Sequence, residues 1–72
     1  MKIIVGLGKT GLSIASLFVR EDVEFAIMDS RLNPPMLNEF KKLGVDAPCY
    51  LGGLNSDVLS QASEIIVSPG VS

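Results

Sequence analysis

The feature that most constrains this chain is its start, where an apolar run meets three closely spaced glycines. Residues 2–11 read KIIVGLGKTG. Residues 2–7, KIIVGL, are nearly continuously apolar. Their Ile and Val content favours a strand, and the lack of alternation favours a strand buried on both faces. Such a strand belongs to a parallel sheet covered by helices. A turn and a helix must follow within a few residues, because 10–20, TGLSIASLFVR, place Leu12, Ala15 and Val19 on one stripe with Phe18 beside it.

The rest of the chain repeats this alternation. Residues 23–28, VEFAIM, read as a second strand with Asp29 at its C-terminal end. In RLNPPMLNEFKKLG, Asn33 suits an N-cap and Pro34 the first helical position, where a missing N–H costs little. Leu37, Phe40 and Leu43 form an apolar stripe, and Gly44 is the helix stop. Residues 47–51, APCYL, read as a weaker third strand ending at Gly52-Gly53. A short helix over 55–62 follows, capped by Asn55 or Ser56. A fourth strand over 64–67, EIIV, runs into Ser68-Pro69-Gly70. The pattern β-α-β-α-β-α-β with short connections predicts an α/β fold: a parallel sheet with right-handed crossovers and helices on both faces. A doubly wound domain usually continues beyond a fourth strand. The expectation is therefore a fold truncated after about four strands, part of a longer protein, with its fourth strand a sheet edge open to self-association.

Two phosphate-binding readings compete for VGLGKTG. A P-loop needs G-x-x-x-x-G-K-[ST]. Counting back from Gly8-Lys9-Thr10 puts Ile3 at the first glycine, inside the strand, so the loop that wraps phosphates is missing. The pattern G-x-G-x-x-G fits at Gly6, Gly8 and Gly11, after a strand and at the opening of a helix. Gly6 permits the tight turn, Gly8 close approach of backbone to phosphate, and Gly11 close packing of helix on strand. The N–H groups of Lys9, Thr10 and Gly11 then face an anion, aided by the helix dipole. Asp29 arrives 18 residues after Gly11, where an acid can bond a ribose hydroxyl or a base edge. Two blander readings stand beside these: glycines serving only helix packing, and Asp29 as a turn cap.

Arg31 is open between a solvated surface arginine and a guanidinium that stacks on a base or pairs with phosphate. Ser68-Pro69-Gly70 faces the glycine turn if strand four lies beside strand one, the usual order. Lys41-Lys42 suits a solvated helix face. Cys49 reads as a small core residue of the third strand. Met28 and Met36 read as packing residues, and Tyr50 is undecided.

Composition narrows the function classes. At 72 residues there is room for one small domain, and 47% hydrophobic with 19% charged residues suits a globular one. The net charge of −2 gives no support to a nucleic-acid partner. With no histidine, Ser-His and Cys-His nucleophile pairs and histidine metal sites are excluded. A single cysteine excludes an intrachain disulfide and argues against a cysteine-bound metal. No apolar run reaches bilayer length, and the expected location is the cytoplasm.

Taken together, VGLGKTGLS, MDSRLNPP, GGLNSDVL and IIVSPGVS resemble the N-terminal domain of the Mur ligases of peptidoglycan synthesis, in particular their D-glutamate-adding members. The resemblance runs over nearly the whole chain, in order. It implies a Rossmann-like domain over 1–72 that binds the UDP part of UDP-N-acetylmuramoyl-L-alanine and does not bind NAD. By position, Gly8, Lys9, Thr10 and Gly11 meet the diphosphate through backbone N–H groups and the Thr10 hydroxyl. Asp29 and Ser30 hold the uracil edge, Arg31 lies against its ring, and Ser68, Pro69 and Gly70 line the opposite wall. Lys9 departs from the family, where this position is often apolar.

The resemblance also implies an ATP-dependent ligase. The substrate carboxylate becomes an acyl phosphate, the amine of D-glutamate attacks it, and ADP and phosphate leave. ATP and Mg²⁺ belong to a central domain and D-glutamate contacts to a C-terminal one, both outside these residues, so the 72 residues alone bind substrate weakly and catalyse nothing. The competing function is an NAD(P)-binding domain of a dehydrogenase or regulatory module, with Asp29 on the adenosine ribose. The string SRLNPP over 30–35 separates the two, because a dinucleotide site gives no reason for it.

Overall fold

The first strand is the middle of the sheet because its residues are apolar on both faces. The computed structural model describes residues 1–68. It contains β1 (Lys2–Val5), α1 (Lys9–Arg20), β2 (Phe25–Asp29), α2 (Leu37–Lys41), β3 (Cys49–Leu51), α3 (Ser56–Ser60) and β4 (Glu64–Val67). All strand pairs are parallel, in the order β3-β2-β1-β4. The four-stranded α/β sheet is the one expected, with β4 beside β1 and at the sheet edge. Ile4 registers with Ile27 on one side and Ile66 on the other.

The two faces carry two cores. On one face Ile4, Leu7, Ala15, Phe25, Ile27 and Phe40 are buried, with Leu12, Ile14, Phe18, Met36 and Leu37 packed on them. This face takes α1 and α2. Phe25 sits between Phe18 and Phe40, with ring centroids 5.7 and 6.2 Å away, so one β2 ring touches both helices. On the other face Ile3, Val5, Ala26 and Met28 are buried under Tyr50, Val58, Leu59 and Ala62, which is where α3 lies. Met28 and Met36 pack as expected, and Tyr50 resolves to this second core.

Several local expectations are corrected. Of the expected α1 stripe, Leu12, Ala15 and Phe18 pack on the core and Ile14 joins them, while Val19 is exposed. Val19 lies near the C-terminal end of α1, away from the turn where Gly11 presses the helix onto the end of β1. Asn33 caps nothing: α2 begins at Leu37 with Met36 at the cap position and no side-chain cap. Pro34 is buried, and its carbonyl accepts from Leu37 N–H at 3.1 Å. Residues 30–35 are spent reaching back to the glycine turn before the helix starts. Cys49 is exposed rather than in the core, because β3 is the other sheet edge. The remaining boundaries follow the sequence closely. Gly44 ends α2 with φ +68°, and Asn55 caps α3 by accepting from Val58 N–H at 3.1 Å.

Candidate functional site at the carboxyl ends of the strands

Gly6 leaves β1 at φ +103°, a left-handed conformation that favours glycine. Its N–H donates to Met28 O at 2.7 Å, so the turn begins still tied to β2. Gly11 is required for a different reason. A Cβ there would stand 2.0 Å from the Gly6 carbonyl oxygen and 3.6 Å from Ser68 Oγ. The first turn of α1 is thus pressed onto β1, with Ser68 alongside. Gly8 is required for neither reason. Its backbone is extended, and a Cβ would meet no atom within 4 Å. The space beside Gly8 is empty of protein.

Gly8 is also the N-cap of α1, with no side chain capping it and no acid in the first turn. The first intrahelical bond of the turn runs from Leu12 N–H to Gly8 O, at 2.9 Å. Helix geometry therefore leaves the N–H groups of Lys9, Thr10 and Gly11 without helical acceptors. Lys9 and Thr10 are exposed, and the positive end of the helix dipole lies here. The arrangement suits an anion with several acceptor oxygens. Ile3, at the position a P-loop would give to its first glycine, is buried inside β1.

Asp29 closes β2 on the same edge of the sheet. Its side chain is fully buried, and four N–H groups converge on it. Oδ2 accepts from Leu7 N–H and from Arg31 Nη2, both at 2.8 Å. Oδ1 accepts from Arg31 N–H at 2.8 Å and from Arg31 Nε at 2.9 Å. The Arg31 hydrogen bonds hold the Asp29 carboxyl at about 2, against burial, which pushes the other way; the Leu7 N–H adds to the lowering. In turn Asp29 raises the Arg31 guanidinium. Arg31 is nonetheless partly open, its side chain 41% exposed. Ser30, between them, is exposed.

The segment after Arg31 returns to the glycine turn. Met36 N–H donates to Leu7 O at 3.2 Å. Leu7 is therefore held at both backbone groups from residues 29–36. Sequence reading missed Leu7 and Met36 because only their backbone atoms take part. It also missed the open cleft of about 650 Å³ formed by residues 49–56, at the carboxyl end of β3. That cleft adjoins Arg31: Gly52 N–H donates to the carbonyls of Asp29 and Arg31, at 3.0 and 3.2 Å. A second cleft, of about 660 Å³, lies at the opposite end of the sheet among Asp22, Glu24, Asp46 and their neighbours. None of the expected site residues among the described residues lines it.

The structure thus gathers Gly8, Lys9, Thr10, Gly11, Asp29, Ser30, Arg31 and Ser68 on one sheet edge. Pro69 and Gly70 lie outside the described residues. Ser68 is buried, and its N–H donates to Val5 O at 2.9 Å, which fixes it beside the turn. The family model of the Mur ligase MurD-like N-terminal domain matches residues 1–72. The chain belongs to that family.

Relatives with the name UDP-N-acetylmuramoylalanine--D-glutamate ligase match along nearly all of it. The Hahella chejuensis protein is 46% identical over 94% of this chain. The Marinobacter nauticus protein is 46% identical over 97%, and the Coxiella burnetii protein 44% identical over 100%. The chain spans only 15% of the first relative's length and 16% of each of the other two. Among the described residues of this Mur ligase domain, no helix is long and apolar enough to cross a membrane.

Proposed function

We propose that this chain binds the UDP moiety of UDP-N-acetylmuramoyl-L-alanine, as the N-terminal domain of a cytoplasmic ligase that adds D-glutamate in peptidoglycan synthesis. The observation that carries the reading is Gly8. Neither backbone conformation nor neighbouring atoms demand a glycine there, yet it stands over open space at a helix start whose first N–H groups have no acceptor within the helix. A phosphate is what such a position accommodates.

Gly8, Lys9, Thr10 and Gly11 take the diphosphate. Ser30 and Arg31, on the segment that Asp29 anchors, take the uracil. Ser68, Pro69 and Gly70 form the facing wall. Membership of the Mur ligase family supports UDP over NAD as the nucleotide. The longer relatives support placing the chemistry elsewhere in the ligase. There ATP would pass its terminal phosphoryl group to the substrate carboxylate and leave as ADP, Mg²⁺ would balance the phosphate charge, and the amine of D-glutamate would then displace phosphate from the acyl phosphate. The 72 residues alone are expected to bind without turnover.

The test is a ¹⁵N-HSQC titration of the chain with UDP-N-acetylmuramoyl-L-alanine, NAD and ATP in parallel. Shifts at Gly8 to Gly11, Ser30 to Arg31 and Ser68 with the UDP compound alone are the expected result. A response to NAD alone would replace this reading with a dinucleotide-binding one.

A further inference from the structure

The carboxylate that a nucleotide-binding reading assigns to the ligand is already occupied by the protein. Each oxygen of Asp29 accepts two N–H groups, at 2.8 to 2.9 Å, and the side chain is completely buried. Four is about the full lone-pair capacity of a carboxylate. A ligand N–H or hydroxyl reaching for it would have to displace Leu7, or one of the Arg31 donors, and would have no open path to it. Of the two residues that the carboxylate holds, Leu7 is buried beside Gly8 and Arg31 is open to solvent. Through Leu7 it fixes the residue between Gly6 and Gly8, whose carbonyl is pinned from the other side by Met36. Through Nε and Nη2 it fixes the plane of a guanidinium whose side chain is 41% exposed.

We infer that Asp29 is a positioning residue: its buried carboxylate locks the glycine turn and the Arg31 guanidinium in place for the base, and makes no ligand contact itself. The inference rests on the UDP-binding reading for its ligand and deepens it. It also decides how Arg31 contributes. A guanidinium paired side-on with a carboxylate has its charge largely balanced and two of its N–H directions spent. What it offers outward is a flat face and its remaining N–H groups, which suit a planar ring better than a phosphate. Lysine cannot supply that plane.

The experiment is a double-mutant cycle on the 72-residue chain with Asp29→Asn, Arg31→Gln and the pair, read by UDP titration. The free chain's Arg31 Nε–H resonance is recorded alongside. Each single change is expected to weaken UDP about tenfold, since each breaks charge-assisted hydrogen bonds, and the pair is expected to weaken it no more than the worse single. The Arg31 Nε–H signal is expected to be resolved in the wild-type chain and lost in Asp29→Asn. Losses that multiply in the pair would mean that Asp29 touches the ligand, and would overturn the inference. So would an Arg31 Nε–H signal unchanged by Asp29→Asn.

Arg31→Lys keeps the charge without the plane, and covers the case in which Asp29→Asn fails to fold. It is expected to lose as much affinity as Arg31→Gln, and full affinity would count against the inference. A wild-type chain whose amides ignore UDP would instead sink the functional reading. The locking of Arg31 by Asp29 would then be decided by the Nε–H signal alone.

Discussion

Gly8 and Gly11 look alike in the sequence and have opposite surroundings. An alanine at 11 drives its Cβ to 2.0 Å from a backbone oxygen that a strand holds in place. Overpacking of this kind is expected to cost about 3 kcal/mol. An alanine at 8 meets nothing. Gly8→Ala is expected to cost under ~1 kcal/mol, the difference between the two residues at an N-cap, while weakening UDP at least about tenfold, the loss of one good charge-assisted contact. Urea denaturation and UDP titration of both variants separate the roles. Wild-type affinity in Gly8→Ala would remove the phosphate from this turn.

Asp29 gives the residue scale its pH dependence. Its carboxyl titrates at about 2 in the folded chain, below the ordinary 3.8. A lowered folded value stabilises above the unfolded one, so the contribution is complete above about pH 4. It is lost as the pH falls through about 2 and is worth about 2 kcal/mol. Denaturant unfolding at pH 7 and at pH 2.5 should show less loss in Asp29→Asn than in the wild-type chain. An equal loss in both would place the acid sensitivity elsewhere.

At the scale of elements, strands were easier to read than helix starts. β1, β2 and β4 declare themselves by consecutive β-branched and apolar residues, and the structure keeps them within a residue or two. The start of α2 was not legible. Asn33-Pro34 carries ordinary capping chemistry, but the chain uses those residues to bring Met36 N–H to Leu7 O. A contact between residues far apart outweighed a local preference. At α3 the local signal held, and the Asn55 side chain accepts from Val58 N–H within its own helix. Asn55→Ala is expected to lower stability by about 1 kcal/mol, with faster amide exchange at Val58 as the local marker. Unchanged exchange there would mean that the cap contributes nothing to this five-residue helix.

For the whole molecule, the margin is small. A chain of 72 residues has roughly 4–11 kcal/mol of stability at ordinary values. Phe25 contacts Phe18 and Phe40, so α1 and α2 share one β2 ring. Phe25→Ala is expected to cost about 3–5 kcal/mol, enough to leave much of the population unfolded, whereas Phe25→Leu should keep a cooperative thermal transition. Circular dichroism melts of the two variants check this. A Phe25→Ala melt like that of Phe25→Leu would show that the ring does not tie the helices together.

Legible in the sequence alone were the order of elements, the parallel sheet and the gathering of the glycine turn, Asp29 and Arg31 at one edge of that sheet. Strand composition, helical spacing and glycine spacing are local properties, and a linear reading reaches them. Only the tertiary structure decided which glycine serves packing and which stands over open space. It also decided that the Asp29 carboxylate turns inward to Leu7 and Arg31, and that Cys49 is exposed on an edge strand. Each of those outcomes depends on where a residue distant in the chain comes to rest. A carboxylate has the same letters whether its oxygens meet a ligand or four N–H groups of its own protein.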